Sequence, residues 1–289
     1  MKVGNFRQSR TTSCHQRPVE IYFFLDPLCP ECWAMEPTIK KLQVEYGDYF
    51  TIRHVMSGKL ASFHEQSRKK PERIAETWER TASRSGMSCD GSLWFDDPIF
   101  SPSIASIAVK AAELQGKKAG IRYLRKLQEC LFLQSQNITH ETVLTDCAKQ
   151  TGLDVFEFRE DLFRQGATKA FQCDLQITSE MDVSEVPTLV FFNENIEDEG
   201  LKVSGWYTYE VYEDILSSMV SETLTRQEPP TIEQFVERYR FVATKELAVV
   251  YDLSAAEVEF EMKKLLLQRK VERIPAKFGT FWRYTETPE

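Results

Sequence analysis

The chain has 289 residues, 42% hydrophobic and 28% charged, with a formal net charge of −8. That length suits two domains, and no apolar run approaches the roughly 18 residues a membrane span needs. The acidic balance repels phosphate backbones and weighs against nucleic-acid binding. Met1 to Pro18 is polar, carries Arg7, Arg10 and Arg17, and lacks the apolar stretch of a secretory signal, so the expected location is the cytoplasm.

In chain order, residues 1–18 show no periodicity and read as a mobile arm. Val19 to Leu25 is a β-branched and aromatic run that predicts a buried strand, stopped by Asp26-Pro27. After Cys29-Pro30-Glu31-Cys32 a helix is predicted over roughly Trp33 to Tyr46, with Met35, Ile39, Leu42 and Tyr46 on its apolar stripe. Gly47-Asp48 ends it, and Tyr49 to Val55 reads as a second strand. The result is a β-α-β unit with a cysteine pair at the head of its helix. From about His64 to Glu180 the patterning is helical, clearest over Ile104 to Leu114, Ala119 to Phe132 and Thr142 to Gln150. Val186-Pro187-Thr188 then opens an apolar strand, Leu189 to Phe192. The polar loop Asn193 to Gly200 leads to a second, Leu201 to Tyr207, and Tyr209, Tyr212, Leu216 and Met219 mark a closing helix. This order is that of a thioredoxin-like fold carrying a large helical insertion.

Ser221 to Pro230 is polar and ends in two prolines, as a domain boundary does. Beyond it, Thr231 with Gln234 and Ser254 with Glu257 form capping-box patterns ahead of helical stripes, with a further helix over about Lys245 to Tyr251. Val271 to Ile274 and Thr280 to Tyr284 read as two short strands. Three helices and a hairpin make a winged-helix-like plan. Its charges balance, ten acidic against ten basic from Pro229 to Glu289, and the helix that would enter a DNA groove begins with Glu257, Glu259 and Glu261. A protein contact suits it better than a phosphate backbone. The predicted organisation is an arm (1–18), a thioredoxin-like domain with its insertion (19–222) and a winged-helix-like domain (231–287).

The seven cysteines, an odd number in a long chain, argue against a disulfide framework. Cys130, Cys147 and Cys173 fall in helical patterns and are expected in or near the core, and Cys89 reads as a turn-associated thiol. Cys29 and Cys32 stand apart. No second C-x-x-C or His pair completes a zinc site with them. Between a strand and a helix they have the placement of a redox-active pair, with Cys29 as nucleophile and the helix N-terminus favouring its thiolate. Glu31 and Asp26 place negative charge nearby and oppose that thiolate, which implies a weakly oxidising pair. Val186-Pro187-Thr188 is similar to the cis-proline loop that faces such a pair; the alternative is a trans proline opening an edge strand. The gap between the two motifs suits the helix-inserted DsbA type rather than plain thioredoxin.

More specific strings follow. Asp26-Pro27-Leu28-Cys29-Pro30-Glu31-Cys32-Trp33, Ser83 to Gly91, Lys110 to Gly116, Asp198 to Val203, Arg240-Phe241-Val242-Ala243 and Val250 to Ser254 resemble the YjbH/SpxH family over about residues 10–285. The resemblance implies an adaptor that binds the stress-response regulator Spx and promotes its proteolysis by ClpXP, without a cofactor. The alternative is a cytoplasmic thiol-disulfide oxidoreductase using Cys29 and Cys32. The family's N-terminal arm can be rich in His and Cys; here only Cys14-His15 is present, too few for a four-ligand metal site within the arm.

Overall fold

The computed structural model of the chain describes residues 17–60, 70–195, 197, 199–221 and 223–286. Strand β1 (Val19–Leu25) runs through the middle of a four-stranded sheet, paired in parallel with β2 (Phe50–Met56) and antiparallel with β3 (Thr188–Phe192). β4 (Leu201–Ser204) completes the sheet alongside β3. Val19, Ile21, Phe23, Phe24 and Leu25 are all buried, which is why β1 carries an almost unbroken apolar run rather than an alternating one. A parallel partner needs a crossover. It is supplied by α1 (Pro30–Ala34) and α2 (Glu36–Tyr46).

The sequence pattern suggested one helix from about Trp33; instead it starts at Pro30 and is interrupted at Met35. Pro37 has no N–H to offer the carbonyl of Trp33, so the ladder cannot run through it. The second helix begins afresh with that proline in its first turn. The expected strand to Tyr207 also stops early, at Ser204, because the chain turns at Gly205 with φ of 95°.

Between β2 and β3 lies the insertion: α3 (Pro71–Ser85), α4 (Leu93–Asp96), α5 (Ser103–Leu114), α6 (Lys117–Gln134), α7 (Glu141–Gln150), α8 (Val155–Phe163) and α9 (Gln165–Glu180). α5 buries Ala105, Ala108, Ala111 and Ala112, small side chains that let it pack closely between α6 and α9. Asp174 on α9 fastens the insertion to the sheet. Its carboxylate accepts the N–H of Met56 at 2.9 Å and pairs with Lys110 at 3.0 Å. After β4, α10 (Tyr209–Met219) closes the unit, burying Tyr212 and Leu216 of its stripe.

The last part of the chain comprises α11 (Ile232–Tyr239), β5 (Phe241–Ala243), α12 (Thr244–Val250), α13 (Ala255–Leu267), β6 (Val271–Pro275) and β7 (Thr280–Tyr284). Both capping boxes form, with Thr231 and Ser254 each accepting a backbone N–H from the third residue of its helix. Strand β5 was not foreseen. Three residues are too few to show alternation, and only their pairing with β7 makes them a strand, giving the order β5-β7-β6.

This part is seated on α2 and on the insertion. Glu246 of α12 is fully buried and receives Lys40 of α2 and Arg125 of α6, the latter at 3.0 Å. Trp33 of α1 is also fully buried, stacked between Phe132 of α6 and Phe281 of β7 at centroid distances of 5.7 and 6.2 Å. The polar segment before α11 is held down as well: Gln227 donates its N–H to the Glu45 carbonyl at 2.9 Å, and Arg226 pairs with Glu45 and Asp252. Replacing Glu246 by Gln takes from Lys40 and Arg125 the buried carboxylate they share, leaving them Glu36 and, for Arg125, also Glu129. Urea unfolding of Glu246→Gln is expected to show a loss of about 3–5 kcal/mol, and a loss under about 1 kcal/mol would mean the seam is not held by this pair.

Candidate functional site

The dithiol is built by the turn that ends β1. Asp26 accepts two N–H groups there, Leu28 through its carboxylate at 2.9 Å and Cys29 through its carbonyl at 3.0 Å. Cys29 thereby becomes the N-cap of α1, with Sγ accepting the Cys32 N–H at 3.1 Å and Pro30 in the first turn. Across from it, the Val186–Pro187 peptide is cis and the Val186 carbonyl lies 3.8 Å from Cys29 Sγ, close enough to accept its thiol proton. The loop is fixed from behind. Gly205 donates to the Pro187 carbonyl at 2.7 Å, and the Thr188 hydroxyl donates to the Glu185 carbonyl at 2.8 Å. Cys29, Cys32, Val186, Pro187 and Thr188 are thus brought together from opposite ends of the first unit.

Burial dominates the electrostatics of this site. Cys29 and Cys32 are only 3% and 2% exposed. Burial, and then the hydrogen bond with Cys29, push the Cys32 thiol well above the usual thiol range. Burial raises the Asp26 carboxyl to about 6, with the N–H groups of Leu28 and Leu60 pulling it part of the way back. A buried thiol that resists ionisation is a poor partner for exchange with large disulfide substrates. Glu31, whose charge the sequence reading sets against the thiolate, is matched by Arg84 of α3 at 3.0 Å, and the Arg84 guanidinium also lies over the Trp206 ring at 5.0 Å. Arg84 and Trp206 were missed by sequence reasoning, because nothing local ties either to the dithiol.

The remaining cysteines divide differently from expectation. Cys89 is fully buried, and burial followed by the nearness of Cys29 pushes its thiol up. Cys130 and Cys147 are buried, with their sulfurs 3.4 Å apart. Cys173 is exposed, contrary to expectation: α9 turns Phe171, Asp174 and Thr178 inward, which points the intervening Cys173 to solvent. Cys14 and His15 lie outside the described residues, as does His64. Among the described residues, no group of three or more His, Cys, Asp and Glu is arranged to hold a metal ion, and no helix is long and apolar enough to cross a membrane.

A central parallel pair, a capping cysteine three residues before a second, a facing cis-proline loop and an inserted helical block together define a thioredoxin-fold protein of the DsbA type. The thioredoxin family model matches residues 22–214. The cytosolic disulfide reductase DsbM from Pseudomonas aeruginosa has a similar fold, with a TM-score of 0.52 at 16% identity over 64% of this chain and 89% of that one. The ClpXP adapter protein SpxH of Bacillus subtilis is 53% identical over 279 residues, which is 95% of this chain and 93% of the relative. Its counterpart from Halalkalibacterium halodurans is 51% identical, over 94% of this chain and 90% of the relative. The chain belongs to the SpxH family.

Two outcomes follow from the burial of the site. The raised Asp26 carboxyl favours its protonated form in the folded chain, so its stability contribution is fully present below about pH 4 and lost as pH rises to about 6. Asp26→Asn is therefore expected to stabilise the chain by ~2–3 kcal/mol at pH 8, a gain that fades between pH 6 and pH 4 in denaturant titrations. In the folded chain, Cys173→Ser is expected to remove one fast-reacting thiol equivalent towards a maleimide, whereas Cys29→Ser leaves the fast phase unchanged.

Proposed function

We propose that this protein is an adaptor that binds the transcriptional regulator Spx and delivers it to the ClpXP protease in the cytoplasm. The observation that carries the reading is identity above 50% to ClpXP adapter proteins over 94–95% of the chain. The buried state of Cys29 and Cys32 supports a scaffold whose outer surface does the work. Large apolar side chains stand exposed on two helices, Phe156 and Phe163 on α8 and Phe260 and Leu267 on α13, which is surface of the kind protein contacts use. An adaptor acts by linkage: it raises the local concentration of substrate at the protease, or holds a substrate conformation in which the degradation tag is accessible.

Residues 231–286 are taken as a winged-helix-like module that contacts protein rather than nucleic acid, since α13 opens with Glu257, Glu259 and Glu261. The contact between Cys29 Sγ and the Val186 carbonyl favours a second reading, a thiol-disulfide oxidoreductase with Cys29 as nucleophile, Cys32 as resolving thiol and the Pro187 loop as substrate clamp. One reconstitution separates the two. ClpXP with purified Spx is expected to degrade it at least about tenfold faster when the chain is added, and replacing both Cys29 and Cys32 by Ala leaves that stimulation in place. Absence of stimulation by the intact chain removes the adaptor reading. Stimulation lost in the double variant, together with insulin reduction by the intact chain, favours the enzyme.

A further inference from the structure

We infer that Cys130 and Cys147 form a second redox site, a peroxide-oxidisable dithiol that closes into a disulfide between α6 and α7 of the insertion. The two sulfurs lie 3.4 Å apart on facing helices, both thiols are free, and both residues are buried. A disulfide bond is about 2.05 Å long, so the sulfurs need close by only roughly 1.4 Å. The site stands apart from the pair at Cys29 and Cys32, and the inference does not depend on the adaptor reading.

Three further features fit it. The Tyr123 hydroxyl donates to the Leu144 carbonyl at 3.1 Å, tying α6 to α7 about two turns before Cys130 and one turn before Cys147 and holding the helices in register. A cleft of about 570 Å³ between the insertion and the last part of the chain is lined by Lys126 and Glu129, just before Cys130, and by Gln150 and Thr151, just after Cys147. Neither cysteine lines the cleft itself, but residues one to four positions from each of them do, and the cleft admits a solute of peroxide size to that stretch of the insertion. The two thiols are also unequal. The hydrogen bond between the two sulfurs lowers the Cys130 thiol, with burial opposing it and the charge of Lys126 adding to it, while the same hydrogen bond raises Cys147.

The chemistry balances with hydrogen peroxide as the oxidant. The Cys130 thiolate attacks one peroxide oxygen, the O–O bond breaks, and hydroxide leaves to become water with the proton released from Cys130. The Cys147 sulfur then attacks the Cys130 sulfenic sulfur. The S–S bond forms, the S–O bond breaks, and the departing hydroxide takes the Cys147 proton to give a second water. Two thiols lose two electrons and two protons, and one peroxide is reduced to two waters.

The test uses the full chain, reduced, exposed to hydrogen peroxide, then unfolded and blocked with N-ethylmaleimide. Trypsin releases both cysteines in the single peptide 127–149, because no Lys or Arg lies between them. The expected product is that peptide two hydrogens lighter and free of maleimide, separating after cleavage at Glu141 only once it is reduced. In Cys147→Ser, which keeps a hydroxyl donor beside Cys130, the reaction stops at the first step, and dimedone labels Cys130 at least about tenfold more than in the unsubstituted chain. The inference is overturned if peroxide sufficient to oxidise the exposed Cys173 leaves Cys130 and Cys147 carrying maleimide, or joins either of them to another cysteine. The mapping on the unsubstituted chain decides this even if the variant does not fold.

Discussion

A largely buried guanidinium at the meeting point of three segments constrains the rest of this molecule. Arg125 of α6 lies over the Trp33 ring at 4.2 Å and pairs with Glu246 at 3.0 Å, Glu129 at 3.1 Å and Glu36 at 3.5 Å. A cation that cannot shed its proton must be compensated where it sits, because its hydration has been lost. Its partners come from the start of the dithiol helices, from the insertion and from the last part of the chain. A shift of any one of them alone costs Arg125 one of its carboxylates.

That constraint reaches the dithiol through Trp33, the residue after Cys32. Its indole N–H donates to the Ser88 carbonyl at 3.0 Å, and Ser88 precedes the buried Cys89. The β6–β7 hairpin touches the same loop, with the Phe278 N–H donating to the Ser88 hydroxyl at 3.2 Å and Lys277 pairing with Asp90 at 3.2 Å. A thioredoxin fold usually presents its first cysteine to solvent. Here the surroundings of that cysteine are knitted to an added module, and the sulfur is covered. Burial withdraws the thiols from large substrates while leaving the scaffold intact, which is what a binding protein on an oxidoreductase fold requires.

Much of this was legible in the residues. The apolar run of β1, the capping boxes at Thr231 and Ser254 and the strand over Thr280 to Tyr284 depend on neighbours in sequence, and each appears where its pattern lies. Patterns failed where a single residue overrode the period, as Pro37 did in splitting the first helix and Gly205 in ending β4. They failed again where only a distant partner supplied the structure, as β7 did for β5. The exposure of Cys173 was misjudged for a related reason: a helical stripe shows which positions share a face, but a residue at its margin can fall on either side.

By itself the sequence determined the thioredoxin order of elements, the dithiol at a helix start, a proline motif of the kind that faces such a pair and the family to which the chain belongs. Each of these rests on local pattern or on strings of residues. Only the tertiary structure decided how deeply the thiols are buried, that Glu31 is answered by Arg84, and that Cys130 and Cys147 touch. Those depend on groups 17 to 157 positions apart meeting in the packed fold, and no spacing along one chain encodes such a meeting.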